Sequence, residues 1–124
     1  MKAMFPQVDF SHVDPVFPDK TSPAGAKYAY TKLAITGRAQ DGLRELYHRP
    51  EKAIIVVSHS GFLRLGVTGH YFFNADYRIF DFQEPAEDDT YTLKQWESTL
   101  KGGMGWSWEK TVHIGEGLPA EFSA

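Results

Sequence analysis

Ser58-His59-Ser60-Gly61, followed by Arg64, is the set of residues in this chain whose types and spacing could do chemistry. An imidazole between two hydroxyls can hold an anion or move a proton near neutral pH. A glycine beside it lets a ligand approach the backbone. An arginine about one helical turn further on adds a planar, always-charged fork that suits phosphate. His70 follows His59 by eleven residues, which is not a helical zinc spacing, and the sequence offers no third ligand. Neither a metal nor a cofactor is expected. Read structurally, a lone His after a strand is an ordinary hydrogen-bonded residue, and it is the company of Gly61 and Arg64 that argues for a site.

The elements that must position this set lie on either side of it. Ala53-Ile54-Ile55-Val56-Val57 is an uninterrupted apolar run, mostly β-branched. Such a run reads as a strand buried on both faces. Ser58 is a good N-cap, and residues 61–67 can form a short helix. Strand, tight turn and helix would place His59 at the carboxyl end of a parallel-type strand, where ligands of open α/β sheets gather. The helix start would offer unpaired N–H groups to an anion.

Val56-Val57-Ser58-His59-Ser60-Gly61-Phe62-Leu63-Arg64 resembles the second histidine motif of the histidine phosphatase superfamily, the phosphoglycerate mutase-like proteins. The likeness is to the fungal branch, and it extends to Pro50-Glu51-Lys52 and to Asn74-Ala75-Asp76-Tyr77-Arg78-Ile79-Phe80-Asp81-Phe82. It covers residues 5–82, with a weaker match over 91–105. The resemblance implies an α/β fold: part of a phosphoglycerate mutase-like layered domain with a small, mostly parallel sheet. It implies that His59 is the second active-site histidine, which contacts the transferring phosphoryl group and steadies its charge. Ser58, Ser60, Gly61 and Arg64 would share the phosphate or anion contacts.

The sequence also departs from that family. Its nucleophile is a different histidine, in an Arg-His-Gly motif after the first strand, and no Arg-His-Gly occurs here. His48-Arg49 is in reverse order and runs into Pro50. The family's second phosphate-binding arginine and its acidic proton donor lie upstream of the matched region. The expectation is the C-terminal half of such a protein, begun at an internal Met or encoded by a gene that lost its first half.

Composition bounds the rest. The 124 residues suffice for one domain, expected over 1–124 with a loose tail at 115–124. A hydrophobic content of 42% permits a core. The net charge of −3 argues against a nucleic-acid surface, which wants clustered Lys and Arg. There is no cysteine, so disulfides and thiolate metal sites are excluded. No apolar run nears the ~18 residues of a membrane span, and the first residues lack a signal peptide's apolar core. A cytoplasmic protein is expected.

In chain order, Pro6, Pro15 and Pro18 rule out a long helix at the start. Asp9, Asp14 and Asp19 there read as loop-capping residues. Thr21-Ser22-Pro23 signals a helix start. Tyr28, Ile35, Ala39, Leu43, Leu46 and Tyr47 give the helix an apolar face, with Arg38 and Arg44 on the wet side and a kink expected at Thr36-Gly37. Pro50 ends the element. Gly69 can cap the short second helix, and His70 is structural or lines a pocket. Residues 77–82 and 91–96 read as strands, with Tyr91, Leu93 and Gln95 facing one way. Residues 102–105 read as flexible, and 106–112 as a last strand.

A strand like 54–57 needs neighbours on both edges, and this chain offers few. Aromatic residues make up 15% of it, so exposed apolar surface is expected to mark an interface. A homodimer or higher oligomer, in which a second chain completes the domain, is the expectation. Three functions stay open: a phosphoryl-type site for a phosphorylated or anionic small molecule; a small isomerase, cyclase or lyase of secondary metabolism using His59 as acid or base in an aromatic pocket; and a non-catalytic binding module. No nucleic-acid or membrane partner is expected.

Overall fold

Thr31 opens the helix on which everything else leans. The computed structural model describes residues 4–16, 19 and 22–120; Thr21, Pro18 and the end of the expected tail, 121–124, lie outside them. Pro23 starts a 3₁₀ helix, Pro23–Tyr28, where its missing N–H costs nothing. The chain then breaks at Ala29, and the Thr31 side chain accepts from the Ala34 N–H at 3.1 Å. That cap begins α1, Lys32–Tyr47. The break therefore falls before the helix, and Gly37 lies inside it. Ile35, Ala39 and Leu43 are its buried stripe, at the 3.6-residue spacing expected of them. Leu46 is half-buried and Tyr47 exposed. Arg38 is not on a wet face: its guanidinium lies over the rings of Tyr28 (5.7 Å) and Phe62 (5.5 Å) and donates to the Lys27 carbonyl at 2.7 Å.

The second helical run packs across α1. It begins as α2, Ser60–Phe62, and widens to a π turn over Leu63–Thr68. Gly66 makes the approach possible: a Cβ there would stand 3.1 Å from Ile35 Cγ2 and 3.4 Å from Ala39 Cβ. Gly69 closes the run with φ at 75°, the left-handed cap expected of it.

The domain is a small mixed α/β one, but its sheet is not parallel. β1, Phe80–Phe82, pairs antiparallel with β2, Leu93–Gln95, with Asp81 opposite Lys94. The alternation expected over 91–96 holds: Tyr91 is buried, Leu93 and Gln95 half-buried, and Thr92, Lys94 and Trp96 exposed. The strand expected at 54–57 is absent from the sheet. Among the described residues no backbone–backbone hydrogen bond reaches 50–58, and every residue from 50 to 59 is exposed. A doubly buried strand needs two paired edges, and the described residues supply neither. The last expected strand reduces to a single bridge between His70 and Thr111.

Two polar residues hold the second half together. Arg78 is 9% exposed, and its guanidinium meets only neutral oxygens. Nε and Nη2 donate to the Tyr71 carbonyl, Nη2 to that of Trp108 at 2.7 Å, and Nη1 to Gln95 Oε1 and to the carbonyls of Thr99 and Leu100. Asp76 does the converse. It accepts from the N–H groups of Tyr77, Met104 and Trp106 and from Ser107 Oγ at 2.6 Å. Residues 102–105, expected to be flexible, are thus gathered on a carboxylate. Residues 115–119 belong to this body rather than to a loose tail: the Gly115 N–H donates to Leu65 O (2.7 Å), and Pro119 O accepts from the Lys32 N–H (2.8 Å).

Candidate functional site

His59 stands where the unpaired segment turns into α2. Its backbone is extended, with φ at −89° and ψ at 145°, and its side chain does not cap the helix. The ring is exposed, as are Ser58 and Gly61. The first N–H groups of a helix have no partner within it. Here those of Ser60, Gly61 and Phe62 have no acceptor among the described residues, while the Leu63 N–H already returns to His59 O at 3.0 Å. Three donors therefore point out of the helix start. A Cβ at Gly61 would meet nothing within 4 Å, so the approach to these donors is open.

Ser60 is half-buried and partly engaged: its Oγ accepts from the Phe72 N–H at 3.3 Å. The hydroxyl proton remains to be donated. Arg64 lies one turn further along the helical run and is half-buried, with Nε enclosed and without a hydrogen-bond partner. The structure thus brings Ser58, His59, Ser60 and Gly61 to one helix start, with Arg64 further along the same helical run. Arg38 adds a second cation against Phe62 that sequence reasoning set aside as solvated. Its signal lay in spacing: it is three residues from Ile35, and so borders the buried stripe of α1. Burial lowers the Arg38 pKa from its ordinary value without discharging it.

His70 is placed as a structural residue. Its ring rests on Phe80, with centroids 5.9 Å apart, and its backbone N–H donates to Thr68 Oγ1 at 3.0 Å. Burial, together with the positive Arg78 nearby, holds its pKa below the ordinary value. The acids Asp9 and Asp14 are loop-capping, as read: Asp9 accepts from the Ser11 N–H, and Asp14 from the Val16 N–H, the Tyr28 hydroxyl and Lys27. The Lys27 ammonium, the Val16 N–H and the Tyr28 hydroxyl lower the Asp14 pKa to about 2. Among the described residues no three His, Asp or Glu side chains come together as metal ligands, and no helix is long and apolar enough to cross a membrane.

No family model, curated protein or solved structure matches the chain.

Proposed function

We propose that this chain is a phosphoglycerate mutase-like protein that binds a phosphate-type anion at the start of α2 and does not turn it over. The observation that carries the reading is the trio of unpartnered N–H groups of Ser60, Gly61 and Phe62, open to approach at Gly61 and flanked by the exposed His59. Free backbone donors at a helix start, with the positive end of the helix behind them, are a general recipe for holding oxyanions. His59 supplies a ring donor, Ser60 a hydroxyl proton, and Arg64 and Arg38 a positive background.

Phosphoryl transfer needs a nucleophile in line with the phosphorus and an acid for the leaving oxygen. His59 alone can steady charge but cannot do all three tasks. The chain by itself is therefore a binding module for a phosphorylated or anionic small molecule. An aryl phosphate should be bound and left intact. Calorimetric titration with inorganic phosphate should show binding that weakens in His59→Ala. Release of aryl alcohol that disappears in His59→Ala would replace the binding reading with a catalytic one. The acid–base reading, in which His59 serves an isomerase, cyclase or lyase, needs a ring enclosed among aromatics, whereas His59 is exposed in the single chain.

A further inference from the structure

The apolar segment that leads into His59 has an alternation that its hydrogen bonding does not explain. Ile54 and Val56 are 39% and 53% exposed, while Ile55 and Val57 are each 91% exposed. A period of two means that one side leans on the protein and the other faces out entirely. The backbone of 50–58 is unpaired among the described residues. An apolar segment with free N–H and C=O groups is a template for strand pairing.

The whole molecule points the same way. Its surface is 9474 Å². A compact monomer of its mass would expose about 6,700 Å², so the excess is on the order of 2,800 Å². A standard interface needs roughly 800 Å² from each partner, well within that excess.

We propose that two copies of this chain pair antiparallel through residues 51–59 about a two-fold axis at Ile55, and that the site at His59 is thereby built from both. Self-complementarity sets the register. Ala53–Val57 overlaps fully with its own copy only when Ile55 faces Ile55, Ile54 faces Val56 and Ala53 faces Val57. That register sets Lys52 opposite Ser58 and the partner's Glu51 opposite His59, with no like charges facing each other. Residues 51, 53, 55, 57 and 59 share the outward side. The extended backbone of His59 lets the ladder run that far. The partner's Glu51 then accepts a hydrogen bond from the His59 ring and fixes its orientation, so it is a positioning residue. Glu51 already holds Arg49, at 2.7 Å, in an exposed pair. The partner's Arg49, just beyond the end of that ladder, is thereby brought toward the same helix start and adds a cation to Arg64 and Arg38. The pairing stands independently of the anion reading; only the role given to these two side chains rests on it.

The absence of cysteine makes the test direct. Directly opposite residues of an antiparallel pair have Cα atoms about 4.5–5.5 Å apart, within disulfide reach. Ile55→Cys should give a covalent dimer on mild oxidation, whereas in Val57→Cys the two thiols would lie about 13 Å apart and should not join. Mixing Glu51→Cys with His59→Cys should give the mixed disulfide. The exposure of these positions keeps the substitutions from disturbing the core. Nitrogen-15 spectra of the His59 ring should show one tautomer, lost in Glu51→Ala while that variant still cross-links through Ile55→Cys. A monomer by sedimentation with no Ile55→Cys cross-link overturns the proposal, as does Val57→Cys joining to itself as readily as Ile55→Cys. Cross-linking without phosphate binding keeps the pairing and rejects the anion reading; phosphate binding by a monomer does the reverse.

Discussion

Ser60 Oγ accepts a hydrogen bond from the backbone N–H of Phe72, twelve residues later. The bond ties the start of α2 to the strand-like segment beyond Gly69. It commits one of the hydroxyl's two lone pairs and leaves the O–H free to donate to a ligand, the role an anion would use.

Ser60→Ala should cost about 1 kcal/mol of stability, the net worth of one such bond. Urea unfolding would read it. Phosphate affinity should fall in the same variant, because a donor is lost as well.

Arg78 is a sensitive position outside the site, buried and bonded to five acceptors. Replacing it with Met leaves the carbonyls of Tyr71, Thr99, Leu100 and Trp108 without their buried donor. Each buried acceptor left without its donor costs about 1–3 kcal/mol. Lysine is no substitute, because one ammonium cannot reach acceptors spread around a planar fork. Near-UV circular dichroism should lose the signal of Trp108, which stacks on Tyr71 with ring centroids 4.4 Å apart. A full near-UV signal in Arg78→Lys would contradict this account.

Gly69→Ala tests the end of the second helix. The residue sits at φ 75°, and a Cβ would stand 2.7 Å from the Val112 carbonyl oxygen. The left-handed conformation alone costs an L-residue about 1–2 kcal/mol. The variant should unfold at lower urea than Gly61→Ala, where a Cβ meets open space.

Stability should depend on pH through His70. Burial, reinforced by Arg78, lowers its folded pKa below the ordinary 6.5. The unfolded chain then takes up the proton more readily. The stability is fully present above about pH 6.5 and is lost as pH falls through the folded value. His70→Gln should flatten that part of the urea-stability profile. An unchanged slope would remove His70 as its cause.

Much of the fold was legible from local pattern. Ile35, Ala39 and Leu43 declared a helix face, Gly69 the cap of the second helical run, and Tyr91, Leu93 and Gln95 the inner side of a strand. What was not legible depends on distant chain. Ala53–Val57 has the composition of a central strand, but a strand becomes central only through neighbours, and none of the described residues pairs with it. In the sequence Arg78 stands out only as part of the 74–82 stretch. Its acceptors are mostly backbone carbonyls, which any sequence carries, so no residue type announced them. Asp76 gathers residues 102–105 in the same way. Burial alone would push its carboxyl pKa up, but the Ser107 hydroxyl and the N–H groups of Met104, Tyr77 and Trp106 outweigh that and hold it below the ordinary value. The helix start at His59 was legible as a position. The freedom of its three N–H groups required coordinates.

The most direct test of the anion site follows the backbone amides themselves. In a phosphate titration at constant ionic strength, the nitrogen-15-resolved amide signals of Ser60, Gly61 and Phe62 should move together and saturate with one affinity, weakened in His59→Ala. If those three signals stay in place while scattered surface amides drift, phosphate does not bind at the start of α2 and the proposed function is wrong.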